Sequence, residues 1–223
     1  MLKSGFRKLG LLLVLSTLAV RGGAAEYQID TAHSDVTFRV KHMGISTVSG
    51  KFQVFGGSFT VDPKNVKATN GSATIDVNSI NTANAKRDGH LKSNDFFDVE
   101  HFPTIKFVSK EVRAVNEKDS TCTLIGELTM RGVTKEIALQ VKGGGIIHDG
   151  WGNERAAFLA NGRINRFDFG LKRNKAIEAG GLVVSADVDM VLAFEGIRKL
   201  DSTKVGMTYP RKYTSMRKWL MRF

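Results

Sequence analysis

Two of the chain's five histidines fall within "RDGHLKSNDFFDVEHFP", Arg87 to Pro103, together with Asp88, Asp95, Asp98 and Glu100. Imidazoles and carboxylates at this density could ligate a metal or move protons. Their spacing argues against both. His90 and His101 are eleven residues apart, neither belongs to H-E-x-x-H or to an i, i+4 pair, and the acids alternate with Phe instead of converging. No metal site is expected, and Asp88, His90 and Asp95 are read as caps and local pairs.

Other fragments carry less. Asp168 to Gly170 spells "DFG" but has neither a phosphate-cradling G-x-G-x-x-G nor an H-R-D beside it. The glycines at 143 to 145 do not open a helix, so they offer no N-terminus to a phosphate. The single cysteine, Cys122, shares an apolar face with Leu124 and reads as a core thiol. No G-x-S-x-G occurs, and no flavin motif, metal set or tuned Cys supports redox work. Neither catalysis nor a cofactor is expected. His42 continues the phase of Val36, Phe38 and Val40, which points it inward near one end of its strand, where it would meet a ligand head group with Asn165 or Arg166.

The elements that must position these residues alternate with period two. Val36, Phe38 and Val40 share one face; so do Ala73, Ile75 and Val77, then Leu124, Gly126, Leu128 and Met130, then Ile137, Leu139 and Val141. The longest run sets Leu182, Val184, Ala186, Val188, Met190, Leu192 and Phe194 on one side. Strands of this kind bury one face and wet the other, as antiparallel sheets do. "VDPKN", "TNGS", "KGGG" and "HDGWGN" read as breaks between them. Within "GKFQVFGGSFTV" the apolar phase slips, which predicts a bulge at Gly56-Gly57. About eight such strands fit an all-β, closed antiparallel barrel, because strands this long would otherwise leave aggregation-prone edges. The His-rich stretch interrupts the pattern and predicts a short helical segment, about 83–100, over one barrel end.

Three regions differ in charge. Residues 1–25 pair Lys3, Arg7 and Lys8 with an apolar run and small residues, the layout of a secretory signal peptide cut after Ala25. That implies a periplasmic or secreted protein; Arg21 keeps an uncleaved anchor in play. Residues 26–197 hold 21 bases and 21 acids, so the net charge of +11 sits at the two ends and no nucleic-acid footprint is supported. The basic tail, residues 198–223, places Tyr213, Met216, Trp219, Leu220 and Phe223 opposite its Lys and Arg, which predicts membrane-surface contact through Arg211 to Phe223.

"YQIDTAHSDVTFRVKHMGISTVSGKF", "RDGHLKSNDFFDVEHFPTIKFVS", "GELTMRGVTKEIALQV" and "NRFDFGL" follow one another in an order that resembles the YceI family of exported polyisoprenoid-binding proteins. The resemblance implies an extended, eight-stranded lipocalin-like barrel, one domain over 26–197, with a long isoprenoid or fatty chain in its lumen. By matching strands it implies that Phe38, Val40, Phe52, Ile75, Val77, Leu128, Ile137 and Leu139, with Val188, Met190 and Leu192 of the last strand, face that chain. The expected function is to bind and carry an isoprenoid lipid, a polyprenol, polyprenyl phosphate or quinone-like molecule, without catalysis. The alternative is a stress-response factor or enzyme linked to a quinone or fatty amide. A homodimer is left open.

Overall fold

Alternating burial shapes the chain from its first strand onward. The computed structural model describes residues 23–174 and 182–198. Most of the expected leader and the tail from residue 199 onward lie outside them. Strand β1 (Ala25–Ile29) buries Ala25, Tyr27 and Ile29 and exposes Glu26 and Gln28. Then come β2 (Asp35–His42), β3 (Ser46–Phe52), β4 (Phe55–Val61), β5 (Asn70–Asp76), β6 (Ile80–Asn81), helix α1 (Ala85–Lys92), β7 (Thr104–Asn116), β8 (Thr121–Met130), β9 (Val133–His148), β10 (Glu154–Asn165) and β11 (Val184–Arg198).

These strands join into eight staves. Tyr27 pairs with Arg198 and Leu192 with Val36, so β1 and β2 lie end to end along β11 as one interrupted stave. β4 and β3 pair with β1 and β2 in the same way, and β5 and β6 pair with β4 and β3. From there β5, β7, β8, β9, β10 and β11 meander antiparallel, each paired with the next. The β11 pairings to β1 and β2 close the ring, leaving an up-and-down antiparallel barrel of eight staves, as expected.

The three interruptions sit side by side, at Asp30–Ser34, at Gln53–Val54 and at the 3-10 turn Val77–Ser79. Side chains take over part of the missing ladder there. The buried Ser34 hydroxyl donates to Glu195 O and accepts from Glu195 N, and Ser79 Oγ accepts from Gln53 N. This corrects two expectations. The phase slip before Gly56 is a complete strand break at Gln53–Val54, while "KGGG" is a bulge inside β9, where Ala157 opposes Gly145 and Phe158 opposes Gly143. Gly57 is special for another reason. Its φ is +151°, and a Cβ there would lie 2.8 Å from Ala73 Cα and closer still to Ser72 O.

The segment between β6 and β7 is the lid. Asn84 caps α1 by accepting from Arg87 N, and the Arg87 guanidinium donates to Thr82 O and Oγ1. His90 bonds to Asp95 at 2.8 Å and His101 to Asp98 at 2.9 Å, so the two imidazoles serve separate local pairs. Asp98 holds His101 more readily protonated than a free imidazole. Phe97 packs edge-on against Phe52, and Arg131 fastens the lid by donating to Asn94 O and Gly170 O.

At the opposite end Arg155 bonds to Asp30, Asp149 and Glu195. Asp30, His33 and Glu195 are spaced closely enough to consider a cation, but the guanidinium already compensates the two acids. The Arg155 hydrogen bond holds the Asp149 carboxyl well below the usual carboxylate range, and His33 followed by Arg155 lowers Asp30. A carboxyl whose pKa falls on folding stabilises the native state above its unfolded value, 3.8, and loses that contribution as pH drops below it. The urea midpoint is therefore expected to fall between pH 4 and pH 2, and Arg155→Met should flatten that dependence. An unchanged slope in the variant would remove this cluster from the acid response.

Candidate binding cavity

The inner wall is apolar, and its side chains fill the bore only in part: Phe59 on β4 reaches Phe158 on β10 with ring centroids 5.0 Å apart, but elsewhere a void is left. Phe38, Ile75, Ile137, Val188, Met190 and Leu192 point inward and remain only half-buried, because they border a cavity of about 730 Å³. That volume lies in the range of about 300–1,000 Å³ typical of sites that hold one small lipophilic molecule. Glycines help to keep it open. Gly50 lies beneath the Phe38 ring, Gly126 beneath Phe107 and Gly196 beneath Phe59, and in each case a Cβ would collide with the ring. The Phe38 and Phe107 rings can therefore lie against the wall, while Phe59 reaches over Gly196 of β11 to Phe158.

The two ends differ. At the mouth, between the β4–β5 connection and the β7–β8 hairpin, the lining includes exposed Lys64, Asn70, Asn116, Glu117 and Ser120. At the lid end it includes Leu91, Phe96 and Phe97 from the lid, with buried Ile164, Arg166 and Leu171 beneath. Arg166 is only 5% exposed. It sits in the 3-10 turn Arg166–Phe169, which Asn165 caps by accepting from Phe167 N. Its Nε donates to Ser185 O at 2.9 Å, Nη1 to Leu171 O and to Arg173 O at 3.1 Å, and Nη2 to Val184 O at 3.2 Å. Burial pushes this guanidinium's pKa down.

Ten of the twelve residues expected at the ligand line the cavity: Phe38, Val40, Phe52, Ile75, Leu128, Ile137, Leu139, Val188, Met190 and Leu192. Val77 and His42 do not. Val77 is buried, but β5 ends at Asp76, whose carboxylate accepts from Asn78 N and curls the chain into a 3-10 turn, so Val77 packs in the core. His42 is the last residue of β2, opposite Val184 and Ser46, and lies outside the lining. Sequence reasoning missed Phe107 and Val112 on β7 and Ala156, Phe158, Ala160 and Ile164 on β10, all of which face the lumen. Cys122 also lines it, with its thiol pKa raised by burial.

A closed antiparallel barrel with an apolar, unfilled bore and one lidded end defines a lipocalin-like protein. Within that class the chain belongs to the YceI-like domain family, whose model matches residues 27–196. A UPF0312 protein of Yersinia enterocolitica is 40% identical over 198 residues, covering 86% of this chain and 98% of the relative. The crystal structure of a YCEI protein from Campylobacter jejuni superposes with a TM-score of 0.62 at 32% identity, covering 77% of this chain and 96% of that one. A polyisoprenoid-binding domain from Saccharophagus degradans shares the fold at 18% identity, with a TM-score of 0.55 and coverage of 78% and 98%.

Proposed function

We propose that this protein is an exported carrier that shelters a long-chain isoprenoid lipid in its lumen and does no chemistry on it. The half-buried inner face carries the reading: apolar side chains that border a void of about 730 Å³ still have surface to bury. A hydrocarbon guest would supply that burial, worth about 0.8 kcal/mol for each CH₂ taken from water. A bilayer offers nearly the same environment, so transfer from membrane to lumen gains little and the cargo should exchange readily. The Saccharophagus degradans domain, described as polyisoprenoid-binding, supports the choice of guest through fold likeness.

Cys122 provides a test without altering the sequence. It faces the lumen on the mouth half of β8, so bound lipid should shield it. Alkylation of the delipidated protein with a maleimide is expected to slow by about tenfold or more once geranylgeraniol is added, in line with a guest that excludes other molecules from the site. Organic extracts of the purified protein, analysed by mass spectrometry, should contain a prenyl chain. Equal alkylation rates together with an extract free of lipid would end the proposal.

A further inference from the structure

Nearly all of the lumen's polar lining lies at the mouth or belongs to small hydroxyl side chains. Of its three charged residues among those described, Lys64 and Glu117 are exposed at the mouth, whereas Arg166 is buried at the lid end among Ile164, Leu171 and Val184. Among the described residues no carboxylate forms an ion pair with it. Its four hydrogen bonds all go to backbone carbonyls, of Ser185, Leu171, Arg173 and Val184. Carbonyl dipoles satisfy N–H donors and the Phe167 ring centroid lies 4.6 Å from the guanidinium carbon, but neither cancels a full positive charge held away from water. A guanidinium has five N–H donors, and four are spent here, which leaves one on Nη2.

Removing the charge would remove the electrostatic cost. A clamp for the 3-10 turn needs only donors, and this cation borders the apolar cavity. Resting on the carrier reading above, we infer that the lumen selects a lipid with an anionic head group, a phosphate or a carboxylate, and seats that head against Arg166 at the lid end with the hydrocarbon chain running toward the mouth. A phosphate or carboxylate oxygen would accept the remaining Nη2 hydrogen in a charge-assisted bond stronger than that of a neutral hydroxyl. His42, outside the lining, takes no part.

The test compares guests that differ only in the head. Displacement of Nile red from the delipidated full-length protein is measured with geranylgeranyl phosphate against geranylgeraniol, and with hexadecanoate against hexadecanol. In each pair the anion is expected to bind at least about tenfold more tightly. The two anions, compared with each other, identify the preferred head. Arg166→Gln should erase the preference while leaving neutral guests bound. Because that variant also loses clamp hydrogen bonds, the Arg166 Nε–H resonance of the unaltered protein gives a second readout, which should shift with the anions and stay in place with the alcohols. Equal affinity within both pairs, or an anion preference that survives Arg166→Gln, overturns the inference while leaving the carrier reading intact. Failure of all four guests to bind defeats both.

Discussion

Replacing Val188 by Trp is expected to weaken binding of a guest with a sixteen-carbon main chain, prenyl or alkyl, roughly two-hundredfold while the protein remains folded. Val188 stands on β11 opposite Val40, half-buried, with its side chain bordering the void. The larger side chain grows into empty space, so the usual penalty for overpacking a filled core does not apply. A linear guest is stopped by one obstruction. If the indole denies it about four methylenes, the loss is about 3 kcal/mol, which is the stated factor in Kd. Titration with hexadecanol against octanol separates the causes, because the shorter chain should lose far less. Unchanged affinity for both would mean that the guest lies elsewhere.

The second large effect concerns the wall. Gly57→Ala is expected to destabilise the barrel by about 2–4 kcal/mol, from a strained backbone combined with overpacking. For a domain of this size that corresponds to a fall in Tm of roughly 5–15 °C. The added methyl would strike the Ser72 carbonyl and Ala73 Cα on β5 while φ stays at +151°, so β4 cannot accept it without parting from β5. Gly56→Ala is the control, since nothing lies within 4 Å of a Cβ there. Similar melting curves for the two variants would refute this reading of Gly57.

How much of this was legible in the sequence depended on how each strand advertised its inner face. β2, β8 and the central part of β11 alternate large apolar residues with polar ones, and their lumen residues could be read directly. β7 could not. Ile105 and Phe107 set one phase, register shifts after Ser109 and Arg113 reset it, and Val112 faces inward on the other parity. β10 keeps its phase but fills it with Ala156, Ala160 and Gly162, which carry little hydrophobic signal. Gly162 is small because Leu139 and Met190 occupy the space in front of it, a three-dimensional reason that a period cannot express. His42 and Val77 fall outside the lining for the opposite reason, since alternation was extended across the register shift between Val184 and Val188 on β11 and past the end of β5 at Asp76. The family resemblance located the lumen as a whole, whereas the position of Arg166 beneath the lid required coordinates.

The aligned gaps at Asp30–Ser34, Gln53–Val54 and Val77–Ser79 gather the strand breaks on one side of the barrel. The unbroken staves from β7 to β11 form a stiff half-shell. Across from them, three adjoining staves share one horizontal line where side chains such as Ser34 and Ser79 stand in for part of the ladder. If the carrier reading holds, a change of girth should cost least along that line, and methyl-branched and straight cargoes of equal length are expected to bind with similar affinity.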